Sequence, residues 1–392
     1  MNLISIRSPF SAFLTTPQIY AAPEATMILR TLPAARVGVV VGTSATQSLT
    51  QMERLKKAIG PLPHQFVTVP RGELSLSQLK PCLRQIEDFK PDFLVGYGGG
   101  SVLDATKMLW AFYEHPDLNL ERALRPFGLP PLRGKCRMVA IPTTCGTGSE
   151  VSSSALMVAD QTHEKQFFVS HDLLPDLAIL DPVNLKETPT AALAASAMDA
   201  LSHAVEGYVS KIKNVLADQM ALAAIVEICR HAQAGIQGRD QASLLQLMTA
   251  SLQAGWVQNI KVPGIGHAMA HQLSRFSISH AEACALTLPM AIEINSQDRQ
   301  VDLRYAEICQ RLHGSSSETK TSAGQALQQT VIALRKQLGL RNHLSEFSGF
   351  DSQKWQRALP DVQSSMVKDP CYRLNPIEVP WSSIEQAYQR IL

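Results

Sequence analysis

Apolar residues recur along this chain in two rhythms. Up to about residue 185 they come as short unbroken runs, Arg36-Val-Gly-Val-Val-Val41, Phe93-Leu-Val95 and Met138-Val-Ala-Ile141. Each run closes on small or polar residues: Gly42-Thr-Ser44, Gly96-Tyr-Gly-Gly-Gly-Ser101 and Pro142-Thr-Thr-Cys-Gly-Thr-Gly-Ser-Glu150. A helical stretch around Gln51–Ile59 follows the first. Unbroken runs are what strands buried on both faces need, so the pattern predicts a mainly parallel α/β sheet that binds ligand at its carboxyl edge. Beyond residue 190, three- and four-residue spacing predicts helices over Thr190–Val209, Ala217–Ala234, Ser243–Asn259, Gly266–Ser274, Val301–Leu312 and Ala323–Leu338, with no further strand. The Asp181-Pro182 and Thr188-Pro189 turns mark the change. The expected architecture is an α/β domain over residues 1–186 and an all-helical domain over residues 187–392.

Composition narrows the function. A chain of 392 residues is long for one core, and 45% hydrophobic against 18% charged residues describes a globular protein. The formal net charge of +2, with no cluster of Lys or Arg, argues against nucleic acid. No apolar stretch is long enough to predict a membrane span, and no signal peptide is expected. Seven scattered cysteines without Cys-x-x-Cys fit reduced, mostly buried thiols in a cytoplasmic protein.

Two loops carry candidate cofactor chemistry. Gly98-Gly-Gly-Ser101 lies between a strand and a helix that contains Asp104 and Lys107. Backbone N–H groups of such a turn can close on a pyrophosphate at the helix N-terminus. The second loop adds hydroxyls from Thr143, Thr144 and Thr147. Neither loop has the spacing of a Rossmann fingerprint or a P-loop. Together they read as a dinucleotide cradle.

A second constellation lies in the helical half. Asp199 and His203 are four residues apart and share a helix face, while His267, His271 and His280 fall within fourteen residues. One carboxylate with two or three imidazoles suits a divalent transition metal, iron or zinc, better than calcium or magnesium. Such an ion serves hydride transfer by polarising a carbonyl or stabilising an alkoxide. The plainer alternative is that Asp199 and His203 form a solvated helix pair. Spacing alone does not separate His271 from His280 as a ligand.

The residues of these blocks resemble the iron-containing (group III) alcohol dehydrogenases nearly end to end. The resemblance runs through Phe13, Pro17, Ile19 and Tyr20, Gly98–Lys107, Pro142–Val151, Pro175–Pro182, Met198–Glu206, Gly266–Gln272, and Asp369 with Asn375-Pro376. It implies a dehydroquinate synthase-like fold and a metal-dependent transfer of hydride between NAD(P) and a small alcohol or aldehyde. It implies metal ligands at Asp199, His203, His267 and His280, iron before zinc, and places His271 as a catalytic group beside the nicotinamide. Cofactor contacts are implied at Gly99, Gly100, Ser101, Asp104, Thr143, Thr144, Thr147 and Lys165.

Three positions depart from the family pattern. An acidic residue usually ends the first strand, where this chain has Gly42 followed by Thr43 and Ser44; NADP(H) is therefore expected to be accepted alongside NAD(H). The segment from His271 to His280 is one residue shorter than usual, and Ser279-His280-Ala281 replaces Pro-His-Gly. Alternatives on the same fold are a polyol dehydrogenase, an elimination enzyme and a non-catalytic nucleotide-binding member. A homo-oligomer is the expected assembly.

Overall fold

The computed structural model describes residues 14–161, 165–314 and 322–392, so Phe13 lies outside the described residues. The chain divides into two compact units, one reaching Thr144 and resuming over Gly148–Thr188, the other made of Cys145–Thr147 and Pro189–Leu392.

The first unit holds strands β1 (Gln18–Ala21), β2 (Val37–Gly42), β3 (His64–Val69), β4 (Phe93–Gly98), β5 (Arg137–Pro142), β6 (Ser154–Val158), β7 (Lys165–Val169) and β8 (Leu177–Leu180). Its helices are α1 (Thr43–Thr46), α2 (Leu49–Ile59), α3 (Leu76–Phe89), α4 (Gly100–Glu114) and α5 (Leu120–Ala123). Six strands form one parallel sheet in the order β1-β8-β5-β4-β2-β3, and β6 pairs with β7 as a separate antiparallel hairpin.

Both faces of the sheet are covered, which is why its strands read as unbroken apolar runs. Val37, Val39 and Val41 share one core with Val95, Tyr97, Ile141 and the α2 residues Leu55, Ala58 and Ile59. Val40, Leu94, Met138 and Ala140 face the other way, against Leu79 and Ile86 of α3 and Leu103 and Met108 of α4. From β2 the chain steps outward to β3 and then crosses back to β4 on the other side of β2. In open α/β sheets such a reversal marks the ligand-binding edge, which here falls at the carboxyl ends of β2 and β4, at Gly42 and Gly98. A Cβ on Gly98 would stand 2.6 Å from the Cβ of Val102. Glycine is therefore what lets α4 begin so close to the strand it follows.

The second unit is helical throughout its described residues: α6 (Thr190–Val209), α7 (Val215–Ile236), α8 (Gln241–Lys261), α9 (Ile265–Leu273), α10 (His280–Asn295), α11 (Arg299–His313), α12 (Ala323–Gln337), α13 (Ser352–Met366), α14 (Pro370–Leu374) and α15 (Trp381–Gln389). Side-chain caps set many of the starts: Asn214 accepts from Ala217 N–H, Asp240 from Ser243 N–H and Ser279 from Glu282 N–H. The alternative of a solvated Asp199–His203 pair is overturned, because α6 is buried on every side from Leu193 to Val209. Apolar spacing did not reveal α10, whose sequence is apolar around its whole circumference and contains Pro289. Pro289 has no N–H for the carbonyl of Ala285, and Arg335 Nη1 donates to that carbonyl instead, at 3.2 Å. Among the described residues no helix is long and apolar enough to cross a membrane, and all seven cysteines are free thiols.

Candidate active site

Three helices of the second unit converge on one carboxylate. Asp199 and His203 are one turn apart on α6, His267 comes from α9, and His280 opens α10. Asp199 Oδ1 lies 3.9 Å from His203 Nε2, 3.8 Å from His267 Nε2 and 3.6 Å from His280 Nε2. These separations are too long for hydrogen bonds. They suit donors to a shared ion, since ligands about 2.1 Å from a tetrahedral centre stand roughly 3.4 Å apart. Asp199 Oδ1 and His267 Nε2 are buried without a hydrogen-bond partner among the described residues, a costly arrangement unless a cation is bound. The donor set and its orphaned atoms therefore fit a divalent transition metal.

Two carboxylates orient the imidazoles. Glu206, two turns beyond Asp199 on α6, meets His267 Nδ1 at 2.5 Å and accepts from Gly266 N–H at 2.6 Å. A Cβ on Gly266 would stand 2.8 Å from Glu206 Oε1, so only glycine admits that carboxylate to the start of α9. Asn375 completes this helix start by accepting from Ile265 N–H at 3.0 Å. Asp369 caps α14 and pairs with His271 Nδ1 at 2.7 Å. His271 is thus drawn toward Asp369, while its ring stacks on that of His280 with centroids 5.3 Å apart. Sequence reasoning assigned no role to Glu206 or Asp369. Glu206 was findable, being seven residues, two turns, beyond Asp199 on the same helix face.

Burial sets the protonation of the site. It pushes His203 down to about 4 against the opposing pull of Asp199, and His267 likewise to about 4. Both rings are neutral at physiological pH, the form that binds metal. Burial pushes Glu206 up to about 7 against its bond from Gly266. Burial acts upward on Asp369 and is the largest single influence, but the hydrogen bond and charge of His271 together with the bonds from Cys371 outweigh it and leave the carboxyl below its ordinary value.

Cys284 was read only as a small buried hydrophobe, yet it lies one turn beyond His280 on α10. Its Sγ is 3.6 Å from His280 Nε2, and single donor atoms of Asp199, His267, His280 and Cys284 all lie within 4.8 Å of one another. The donors that are mutually within 4.8 Å thus include Cys284, whereas the ring of imidazoles around Asp199 includes His203.

In the first unit, Gly98 ends β4, Gly99 precedes α4, and Gly100 and Ser101 open it with no side chain capping the first turn. Thr143 N–H donates to Gly98 O at 2.9 Å, and a Cβ on Gly99 would meet the Thr144 methyl at 3.3 Å, so both threonines border this turn. Asp104 is turned inward: it accepts from Ser149 Oγ at 2.6 Å and from Leu156 N–H at 3.1 Å. Lys165 opens β7 and pairs with Glu73 at 2.6 Å. Gly42 ends β2, and the Thr43 hydroxyl beside it is buried with no partner among the described residues. Thr147 belongs to the second unit, where its carbonyl accepts from Gln258.

Residues 19–182 match the family model described as iron-containing alcohol dehydrogenase, and residues 193–392 match that of the Fe-containing alcohol dehydrogenase family, C-terminal. Among similar proteins is an NADPH-dependent butanol dehydrogenase of Clostridium saccharobutylicum, 30% identical over 78% of this chain and 77% of that protein. An aldehyde-alcohol dehydrogenase of Streptococcus pneumoniae is 29% identical over 74% of this chain, which spans only 35% of that longer protein. The structure of an iron-containing alcohol dehydrogenase from Thermococcus thioreducens aligns with a TM-score of 0.86 at 26% identity, covering 97% of this chain and 99% of that one. The chain belongs to the iron-containing alcohol dehydrogenase family of metal- and NAD(P)-dependent oxidoreductases.

Proposed function

We propose that this chain interconverts short primary alcohols and their aldehydes, with Asp199, His203, His267 and His280 holding a divalent ion, iron before zinc. The observation that carries the reading is the set of three imidazole nitrogens 3.6 to 3.9 Å from one buried carboxylate oxygen that has no hydrogen-bond partner among the described residues. When bound, the ion supplies Lewis-acid stabilisation of negative charge on the substrate oxygen. His271 moves the alcohol proton: held through Nδ1 by Asp369, its ring accepts at Nε2, and the carboxylate stabilises the resulting imidazolium. The uncapped first turn of α4, at Gly98, Gly99, Gly100 and Ser101, binds the cofactor pyrophosphate. Thr143 and Thr144 hydrogen-bond the cofactor. Lys165 serves the nicotinamide-side ribose, and Asp104 acts by fixing the loop at Ser149.

Gly42 and the Thr43 hydroxyl, which has no partner among the described residues, leave room and a donor for a 2′-phosphate, which favours use of NADP(H) as well as NAD(H). The 30%-identical relative named as an NADPH-dependent butanol dehydrogenase supports both that cofactor and a short unbranched substrate. The seven free thiols favour the reducing cytoplasm, and a homo-oligomer is the proposed assembly.

The test loads purified protein anaerobically with iron or zinc and assays butanol and butanal with both cofactors. His267→Ala should lose metal and activity together, whereas His271→Ala should keep metal and lose rate. Stoichiometric metal with near-normal turnover in His267→Ala overturns the ligand set. Equal metal loss in His271→Ala would mean that relay and ligand are exchanged.

A further inference from the structure

We propose that Cys284 is itself a donor to the metal, a fifth beside Asp199, His203, His267 and His280, whose thiolate narrows the preference of the site for iron over softer ions such as zinc. The proposal rests on the reading of this cluster as a metal centre. Asp199, His267, His280 and Cys284 form a closed group, each contributing one donor atom within 4.8 Å of every other. Where the sulfur–metal–nitrogen angle is about 110°, metal–sulfur and metal–nitrogen distances of about 2.3 and 2.1 Å place sulfur and nitrogen roughly 3.6 Å apart. The Sγ of Cys284 is 3.6 Å from His280 Nε2. Helix geometry fixes this placement, since residues four apart on α10 present their side chains on one face.

The same contact can be a hydrogen bond from the thiol to His280 Nε2. That bond and metal binding compete for one lone pair on the nitrogen. An ion held by His280 deprives the thiol of its acceptor and brings a cation to the sulfur at ligand spacing. Binding then releases the thiol proton to solvent and forms a metal–sulfur bond, one proton lost for each bond made. A carboxylate and a thiolate together neutralise a divalent ion in a buried site, where unbalanced charge is costly. Thiolate ligands also favour zinc over iron-type hard-ligand preference.

Cobalt(II) reads the donor set directly. The full-length metal-free protein is titrated with cobalt under anaerobic conditions, and bound cobalt is measured alongside the absorption spectrum. The expected result is stoichiometric cobalt with visible ligand-field bands and a near-ultraviolet thiolate-to-cobalt charge-transfer band. Cys284→Ser and Cys284→Ala should retain cobalt and lose only the charge-transfer band, with zinc affinity falling about tenfold or more. Ligand-field bands without charge transfer in the unmodified protein overturn the role of Cys284 and leave the metal centre standing. A charge-transfer band that survives in a folded Cys284 variant assigns the sulfur to another cysteine and also overturns it. Failure to bind cobalt at all overturns the metal centre and the proposal with it. If neither variant folds, the spectrum of the unmodified protein still decides.

Discussion

At the scale of the residue, the site is governed by how many protons its buried groups hold. Folded, His203 takes none down to about 4, whereas the His267–Glu206 pair holds one below about 7, whichever partner carries it. Unfolded, two imidazoles with the ordinary value of 6.5 take up two protons, and Glu206 ionises above 4.5. Between pH 6.5 and 4.5 the unfolded chain therefore binds one more proton than the folded one at these groups. Their contribution to the stability of the metal-free protein falls as pH drops through that window, by about 1.4 kcal/mol per pH unit. Urea unfolding of chelator-treated protein at several pH values checks it, against a Glu206→Gln variant in which the slope steepens toward two protons. Cofactor choice is likewise a one-residue question. Gly42→Asp should shift the ratio of kcat/KM toward NAD(H) by roughly 1–3 kcal/mol, the scale of a hydrogen bond to a charged group. The new Cβ would stand 3.0 Å from Val102 Cγ2, so Gly42→Ala is the control for crowding. An unchanged cofactor ratio in Gly42→Asp would remove Gly42 from the adenosine site. Spacing was enough to put Asp199 and His203 on one helix face. It could not divide His271 from His280, because the division depends on Asp369, 98 residues beyond His271.

At the scale of the element, legibility followed contrast. The helices whose apolar residues alternate with polar ones, such as α11 and α12, were visible from spacing, and so were strands bounded by glycine. A helix apolar on every side has no stripe, and α10 was missed for that reason and for Pro289. α13 also carries an internal proline, Pro360. The cost of Pro289 is local. Its ring removes the donor that Ala285 O would use, and the guanidinium of Arg335 takes its place. Arg335→Met should strand that carbonyl in the core and destabilise the protein by about 1–3 kcal/mol. Adding Pro289→Ala restores an N–H one turn along, so the double variant should recover part of the loss. A thermodynamic cycle from the denaturation midpoints reads the coupling, and strict additivity would show that Arg335 does not serve this carbonyl.

At the scale of the whole molecule, each unit has its own core, and each of the proposed ligands for metal belongs to the second. The proposed donors reach from α6 to α10, so a bound ion ties together helices distant in sequence. A metal at 100 times its dissociation constant would add about 2.7 kcal/mol to folding. Chelation should accordingly raise hydrogen exchange in α6, α9 and α10 while leaving β2, β4 and β5 of the first unit unchanged. Equal loosening of the parallel sheet would place the ion's stabilisation elsewhere. The broad architecture was readable because runs and stripes report burial directly; the convergence of three helices was not, because no local pattern records which distant residue meets which.

The spread of these donors also orders events in time. A chain under synthesis offers Asp199 and His203 first, gains His267 only with α9, and has a full set of candidate donors once His280 and Cys284 have been added. Asp369, which holds His271, is made later still. An ion caught by the earliest pair alone would have too few ligands to be kept, so the metal is chosen only after α10 has been made. Which ion occupies the centre then reflects the cell's free-metal supply at that moment as much as the preference of the completed site.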